Sequence, residues 1–247
     1  MTPTEVRAEV YSCLGVDATA FATRLPTATI DLLCWRGQCE LATAGRPGRL
    51  RKTNQQNLTA STAEYKMPSD LLTLMSLWAA GKRLSQRTEE QVDETAEGWR
   101  ETGADTAGEP RFYYMTGLHL TNDSDYGKRL VKLYPVPDTT TSNGLECLYI
   151  RKPYKVSQMP LATVEIIDIP EEHHEALIWY VCWKFLSRQG EQARQDFDRY
   201  KALWQEARAE FIREQNEAWM QDNNPILPDR VFDMAESLLG TWSEGAY

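Results

Sequence analysis

The sequence predicts an α+β protein: a mainly α-helical bundle with long C-terminal helices and an inserted small β-rich domain. Three observations predict it. Apolar residues recur at helical spacing near the start of the 247-residue chain and again after residue 170. Between these stretches, short β-prone segments alternate with Gly, Pro, Asn and Asp. Late in the chain, an eight-residue apolar run is followed by a seam with steps of three and four. The expected layout is a discontinuous helical domain (1–53 and 159–220), an inserted β-rich domain (54–158) and a C-terminal arm (221–247).

In the first region, Thr4 can cap a helix through Leu14, with Val6, Val10 and Leu14 on one face. Thr27 or Thr29 can cap a second, carrying Ile30, Leu33 and Leu41, with Leu32, Trp35 and Cys39 widening the stripe. The Gly45-Arg46-Pro47-Gly48 cluster stops it.

In the second region, Ala63–Met67 reads as a strand ending at Pro68. Leu74–Trp78 and Lys82–Ser85 flank Ala79-Ala80-Gly81 as in a hairpin. Thr88-Glu89-Glu90-Gln91 is a capping-box pattern, opening a short helix with Val92, Ala96 and Trp99. Arg111–Leu120, Arg129–Tyr134 and Leu145–Arg151 are the clearest strands, the last two joined by the polar loop Pro135–Gly144.

In the third region, Pro170 suits a helix start, and Glu171, Glu172 and Glu175 complement the helix dipole. Ala176–Trp183 is apolar on every side, so this helix must be buried inside a domain or between subunits. Gly190 breaks it. Phe197, Tyr200, Trp204, Ala207 and Phe211 then form the seam of a helix over 195–219, about 37 Å long. After Asp222-Asn223-Asn224-Pro225, the arm carries Ile226, Leu227, Val231, Phe232, Leu238, Leu239 and Trp242, apolar surface that wants a partner.

Bulk composition narrows the function. Lys plus Arg number 27 against 36 Asp plus Glu, a formal charge of −9, which argues against gripping nucleic acid by phosphate neutralisation. It leaves DNA passage open. The first residues lack the apolar core of a secretory signal, and no run is long enough to cross a bilayer. Five cysteines suggest free thiols in a reducing cytoplasm.

The search for chemistry returns no catalytic residue, no metal site and no cofactor. His173-His174-Glu175 lacks the second His that a zinc-protease helix requires, since position 178 is Ile. Cys34 and Cys39 diverge on a helix and read as buried thiols. The basic run Gly45–Lys52 reads as a solvated loop rather than a phosphate contact. Glu64, Asp70, Glu146 and Asp168 could still form an acid pair that sequence does not reveal. The tryptophans and tyrosines fall mostly on seams and strands, where core or subunit-interface packing accounts for them better than sugar stacking.

Seven stretches, in order, carry a family resemblance. They are Arg24–Asp31 leading into the second helix; Tyr65-Lys66-Met67-Pro68-Ser69-Asp70-Leu71; and Gly81-Lys82-Arg83-Leu84 with the Thr88 helix and Trp99. Phe112-Tyr113-Tyr114, Leu133-Tyr134-Pro135-Val136-Pro137, Tyr149–Tyr154 and Ile169–Leu177 follow. Together the pattern resembles the head-to-tail adaptor (connector) proteins of tailed bacteriophages, as in short-tailed phages.

The resemblance implies a structural virion protein that forms a homo-oligomeric ring of twelve in the neck, assembled in the host cytoplasm. The portal protein would lie above it, the tail nozzle or tube below, and DNA would pass through an acidic lumen without specific binding. On that reading Ile226, Leu227, Val231, Phe232, Leu238, Leu239 and Trp242 form a portal-binding arm. Trp179, Trp183, Phe197, Tyr200, Trp204 and Phe211 belong to subunit-packing helices. The alternatives are another tail completion protein or a carboxylate-dependent phage hydrolase.

Overall fold

A computed structural model describes residues 1–16, 23–95, 107–118, 127–155, 167–189 and 194–222. Helix α1 spans Pro3–Cys13 and starts two residues earlier than expected. Thr2 and Glu5 form a reciprocal capping box, and Pro3 takes the first helical position, where its missing N–H costs nothing. Val6 and Val10 face the core.

Helix α2, Thr27–Gly45, follows Pro26 without a side-chain cap and ends with Arg46 in the left-handed conformation at φ 51°. Glycine is required at two of its positions by close approach. A Cβ at Gly45 would overlap the Phe211 ring, and one at Gly37 would press on Tyr180 and Leu177.

A 3₁₀ turn, Gly48–Leu50, leads into β1, Arg51–Leu58. Then come β2 (Glu64–Lys66), β3 (Leu71–Ala79), β4 (Lys82–Arg83) and β5 (Ser85–Gln86). The β3–β4 hairpin forms as expected around Ala80-Gly81, both at positive φ (48° and 78°), which suits a tight two-residue turn. Helix α3, Glu89–Thr95, opens with the expected capping box, Thr88 and Gln91 exchanging hydrogen bonds of 3.0 and 3.3 Å. Ala96 and Trp99, expected to continue this helix, lie outside the described residues.

The remaining strands are β6 (Ala107–Gly108), β7 (Phe112–Leu118), β8 (Arg129–Tyr134), β9 (Val136–Pro137) and β10 (Thr141–Arg151). One sheet runs β1-β10-β3-β4 and a second β2-β8-β7-β5, while β6 and β9 make a short parallel pair. Strand β8 therefore joins a different sheet from β10, and the loop between them carries the chain from one sheet to the other.

Both sheets contribute to one buried cluster. Leu71, Leu77, Leu145, Cys147 and Tyr149 of the first meet Tyr65, Tyr113, Val131 and Leu133 of the second. The opposite side of the first sheet supplies Ile150, Leu72 and Met75 to a larger cluster built by the helices. The first sheet is thus a middle layer, with helices on one side and the second sheet on the other.

After a 3₁₀ turn at Glu171–His173, α4 runs His174–Leu186 and α5 runs Arg194–Asp222. Helix α5 has 29 residues and is about 44 Å long. Its seam, Tyr200, Trp204, Ala207 and Phe211, is buried in the helical cluster with the apolar residues of α4.

This architecture corrects the expected fold class. The described residues are about 45% helical and 30% strand, with three sheets and four substantial helices among them, so the fold is not a mainly helical bundle. The shortfall has a physical cause. Strand β1, Arg-Lys-Thr-Asn-Gln-Gln-Asn-Leu, has no apolar alternation because it is an edge strand exposed along most of its length. Its register comes from backbone pairing with β10, which no local pattern announces. Strand β10 likewise starts at Thr141, inside what reads as a polar loop.

Candidate functional site

Two surfaces among the described residues carry distinctive chemistry. The first lies along α4 and α5. Tyr180 packs edge-on against both Trp204 (4.8 Å between ring centres) and Trp183 (5.7 Å). The Lys184 ammonium sits 3.8 Å from the centre of the Trp183 ring. The Tyr180 hydroxyl donates to Glu40 at 2.7 Å, tying α4 to α2, and the Tyr200 hydroxyl donates to the Cys13 carbonyl at 2.8 Å, tying α5 to α1.

The sequence-predicted residues divide on this surface. Tyr200, Trp204 and Phe211 are buried within the chain's own core. Trp179, Trp183 and Phe197 are half-buried and keep an edge towards solvent. The arm residues Ile226, Leu227, Val231, Phe232, Leu238, Leu239 and Trp242 lie outside the described residues.

The second surface is the corner where β10 leaves its sheet beside α2. Asp168 organises it. Its carboxylate accepts from Arg151 at 2.8 and 3.1 Å and from the Tyr154 amide at 2.7 Å, while its own amide donates to buried Gln38. The Trp35 indole donates to the Pro153 carbonyl at 2.9 Å. Lys155 lies 4.6 Å from the centre of the Trp35 ring, and Arg151 lies 4.3 Å from that of Tyr154. Sequence reasoning missed this node, because Gln38 and Asp168 are 130 positions apart.

Three of the four carboxylates that could form an acid pair are hydrogen-bonded to neighbours. Although burial opposes it, hydrogen bonds from Lys52 and Tyr149 hold Asp70 below the usual carboxylate range. Glu146 accepts from Gln55, Glu64 is exposed on β2, and Asp168 is committed to Arg151. Asp70, Glu146 and Asp168 are thus each hydrogen-bonded to different partners. The two histidines also diverge: His173 meets Glu214 at 2.8 Å and His174 meets the Ile169 carbonyl at 2.8 Å. Among the described residues, no cluster of His, Cys, Asp and Glu is arranged to hold a metal.

Burial pushes the Cys34 and Cys182 thiols up to about 12 and those of Cys39 and Cys147 to about 11, so they stay protonated. In the basic run, Arg46 and Arg49 are exposed, Leu50 anchors the turn in the core, and Lys52 pairs with Asp70 at 3.0 Å.

Comparison with family models decides what these surfaces belong to. The model for the SU10 adaptor protein matches residues 4–228. The chain belongs to the SU10 adaptor protein family. The match takes in both sheets and all but the first residue of α1, and it ends within the arm, past Ile226 and Leu227. A comparison with curated proteins found no match. An SU10 adaptor is a phage structural protein, so the order of motifs from Arg24 to Leu177 did identify the family correctly. Among the described residues of this adaptor, no helix is long and apolar enough to cross a membrane.

Proposed function

We propose that this protein is the head-to-tail adaptor of a tailed phage, forming a twelve-membered ring in the virion neck between the portal and the tail nozzle or tube. The observation that carries the reading is the SU10 adaptor match over residues 4–228. The mixed composition of α4 and α5 supports it: a sealed inner seam holds the helices together, and half-exposed aromatics remain on the outside. In the ring, Trp179, Trp183 and Phe197 pack against the neighbouring copy, while Tyr200, Trp204 and Phe211 fix the two helices to the rest of the chain.

The proposal extends to the chain's layout. Residues 1–53 with 159–220 make a helical unit and 54–158 an inserted β unit; one buried cluster lies between the two sheets, and the larger, built mainly by the helices, also takes in Ile150, Leu72 and Met75 of the first sheet. The arm, 221–247, engages the portal. DNA passes through the lumen without base-specific contact, eased by the chain's net charge of −9 repeated around the ring. Assembly takes place in the host cytoplasm.

The test is the mass of the purified protein, alone and mixed with its cognate portal. A monomer that joins the portal in a twelvefold complex supports the reading. A protein that ignores the portal overturns it.

A further inference from the structure

The corner organised by Asp168 presents a surface that is at once apolar, cationic and rigid. Leu32, Trp35 and Cys39 follow one another in steps of three and four, so they share a stripe of α2. Leu32 is 41% exposed and Tyr154 is 40% exposed, two of the three large apolar side chains so exposed among the described residues. The surface does not depend on loose side chains. Trp35 is hydrogen-bonded to Pro153, and the Tyr154 backbone and the Arg151 beneath its ring are both held by Asp168. Lys152 and Lys155 stand close enough to draw the Cys39 thiol downward against the effect of burial.

The chain beyond Asp222 has the opposite character. Residues 223–247 carry Asp229, Asp233, Glu236 and Glu244 against the single Arg230, interleaved with Val231, Phe232, Leu238, Leu239 and Trp242. That much apolar surface is costly to leave in water. Its length reaches the corner. Gly45 at the end of α2 packs on Phe211 and Gln215, so Asp222 stands about 10 Å further along α5. Leu32 is about 20 Å back along α2 from Gly45. Twenty-five residues can span up to about 80 Å.

We propose that the surface formed by Leu32, Trp35, Tyr154, Lys152 and Lys155 seats the chain's own C-terminal segment, residues 223–247, in the free protein. The apolar side chains of the segment lie on the Leu32–Trp35–Tyr154 surface, and its carboxylates face the two lysines. This deepens the adaptor reading and rests on it: the arm that engages the portal is kept covered by its own chain until the portal takes it.

Hydrogen exchange on the full-length protein, followed by mass spectrometry, tests the seat. Amides of residues 226–242 should exchange about tenfold more slowly in the wild type than in Lys155→Glu or Leu32→Asp. High salt should remove part of the difference. Combining Lys155→Glu with Glu236→Lys should restore protection, an outcome that general damage to the fold would not produce. Equal exchange in the wild type and both variants overturns the proposal. So does protection that grows with protein concentration, because the seat would then belong to a second copy. Portal co-sedimentation on the same samples separates the two readings: intact portal binding with no change in exchange sinks only the seat, and lost portal binding in the wild type sinks the adaptor reading.

Discussion

Buried Asp168, 6% exposed, holds the Arg151 guanidinium with its carboxylate in a two-pronged ion pair at 2.8 and 3.1 Å. The pair joins the end of β10 to the segment entering α4, because Asp168 also accepts from the Tyr154 amide and its own amide is fixed by Gln38. A buried pair of this kind is weak evidence of net stabilisation, but breaking it is costly.

Arg151→Ala should therefore destabilise the protein by about 3 kcal/mol, because it strands a buried carboxylate. Arg151→Ala with Asp168→Ala should cost less than the sum of the two single changes. Urea unfolding of the four proteins checks this, and strict additivity would show that the two residues act separately.

Gly45→Ala should cost about 1–3 kcal/mol, since a methyl there meets the Phe211 ring. Shrinking the ring makes room, so Phe211→Leu combined with Gly45→Ala should lose less than the two changes predict separately. A thermal-denaturation cycle reads the coupling.

The acid limb of stability should carry a step from His174. Burial pushes its pKa below the ordinary 6.5, so between the folded and unfolded values the unfolded chain binds more protons. The stabilisation is fully present above about pH 6.5 and is lost as the pH falls through the folded value. His174→Gln should flatten the stability profile below about pH 6.5. Asp70 and Glu171, both held low, act only further down, in the carboxylate range. Denaturant midpoints across pH 4 to 8 decide it, and an unchanged slope in the variant would remove His174 from the account.

Thiol reactivity should follow burial. Cys13 is exposed, whereas Cys34, Cys147 and Cys182 are buried. A disulfide reagent at pH 8 should label Cys13 first, with Cys34 and Cys182 reacting only as fast as the chain opens. Fast labelling of Cys182 in the native protein would contradict its position in the core.

Much of the helical part was legible beforehand. The seam from Tyr200 to Phe211 repeats at a period that only a helix satisfies, and Thr88 with Gln91 spells a capping box that forms. The α1 start was misplaced by two residues because Thr2 competes with Thr4 and only Thr2 has Glu5 three positions on. The strands were harder to read. β3 and β10 announce themselves by Leu, Tyr and Ile, but β1 is polar and β5 has two residues, so pairing rather than composition makes them strands. The Asp168 corner was invisible, since Arg151, Tyr154 and Gln38 are ordinary residues until the fold gathers them.

By itself, the sequence determined the helix periodicities, the capping boxes and the ordered motifs that assign the adaptor family. These are local signals: each depends on residues a few positions apart, whose geometry the backbone sets directly. Tertiary structure alone decided which strand joins which sheet, that Tyr200, Trp204 and Phe211 turn inward while Trp179, Trp183 and Phe197 keep an edge outside, and that an apolar cationic corner forms around Asp168. Those outcomes depend on contacts between distant positions, and the free energy that selects them arises only when the layers pack against one another.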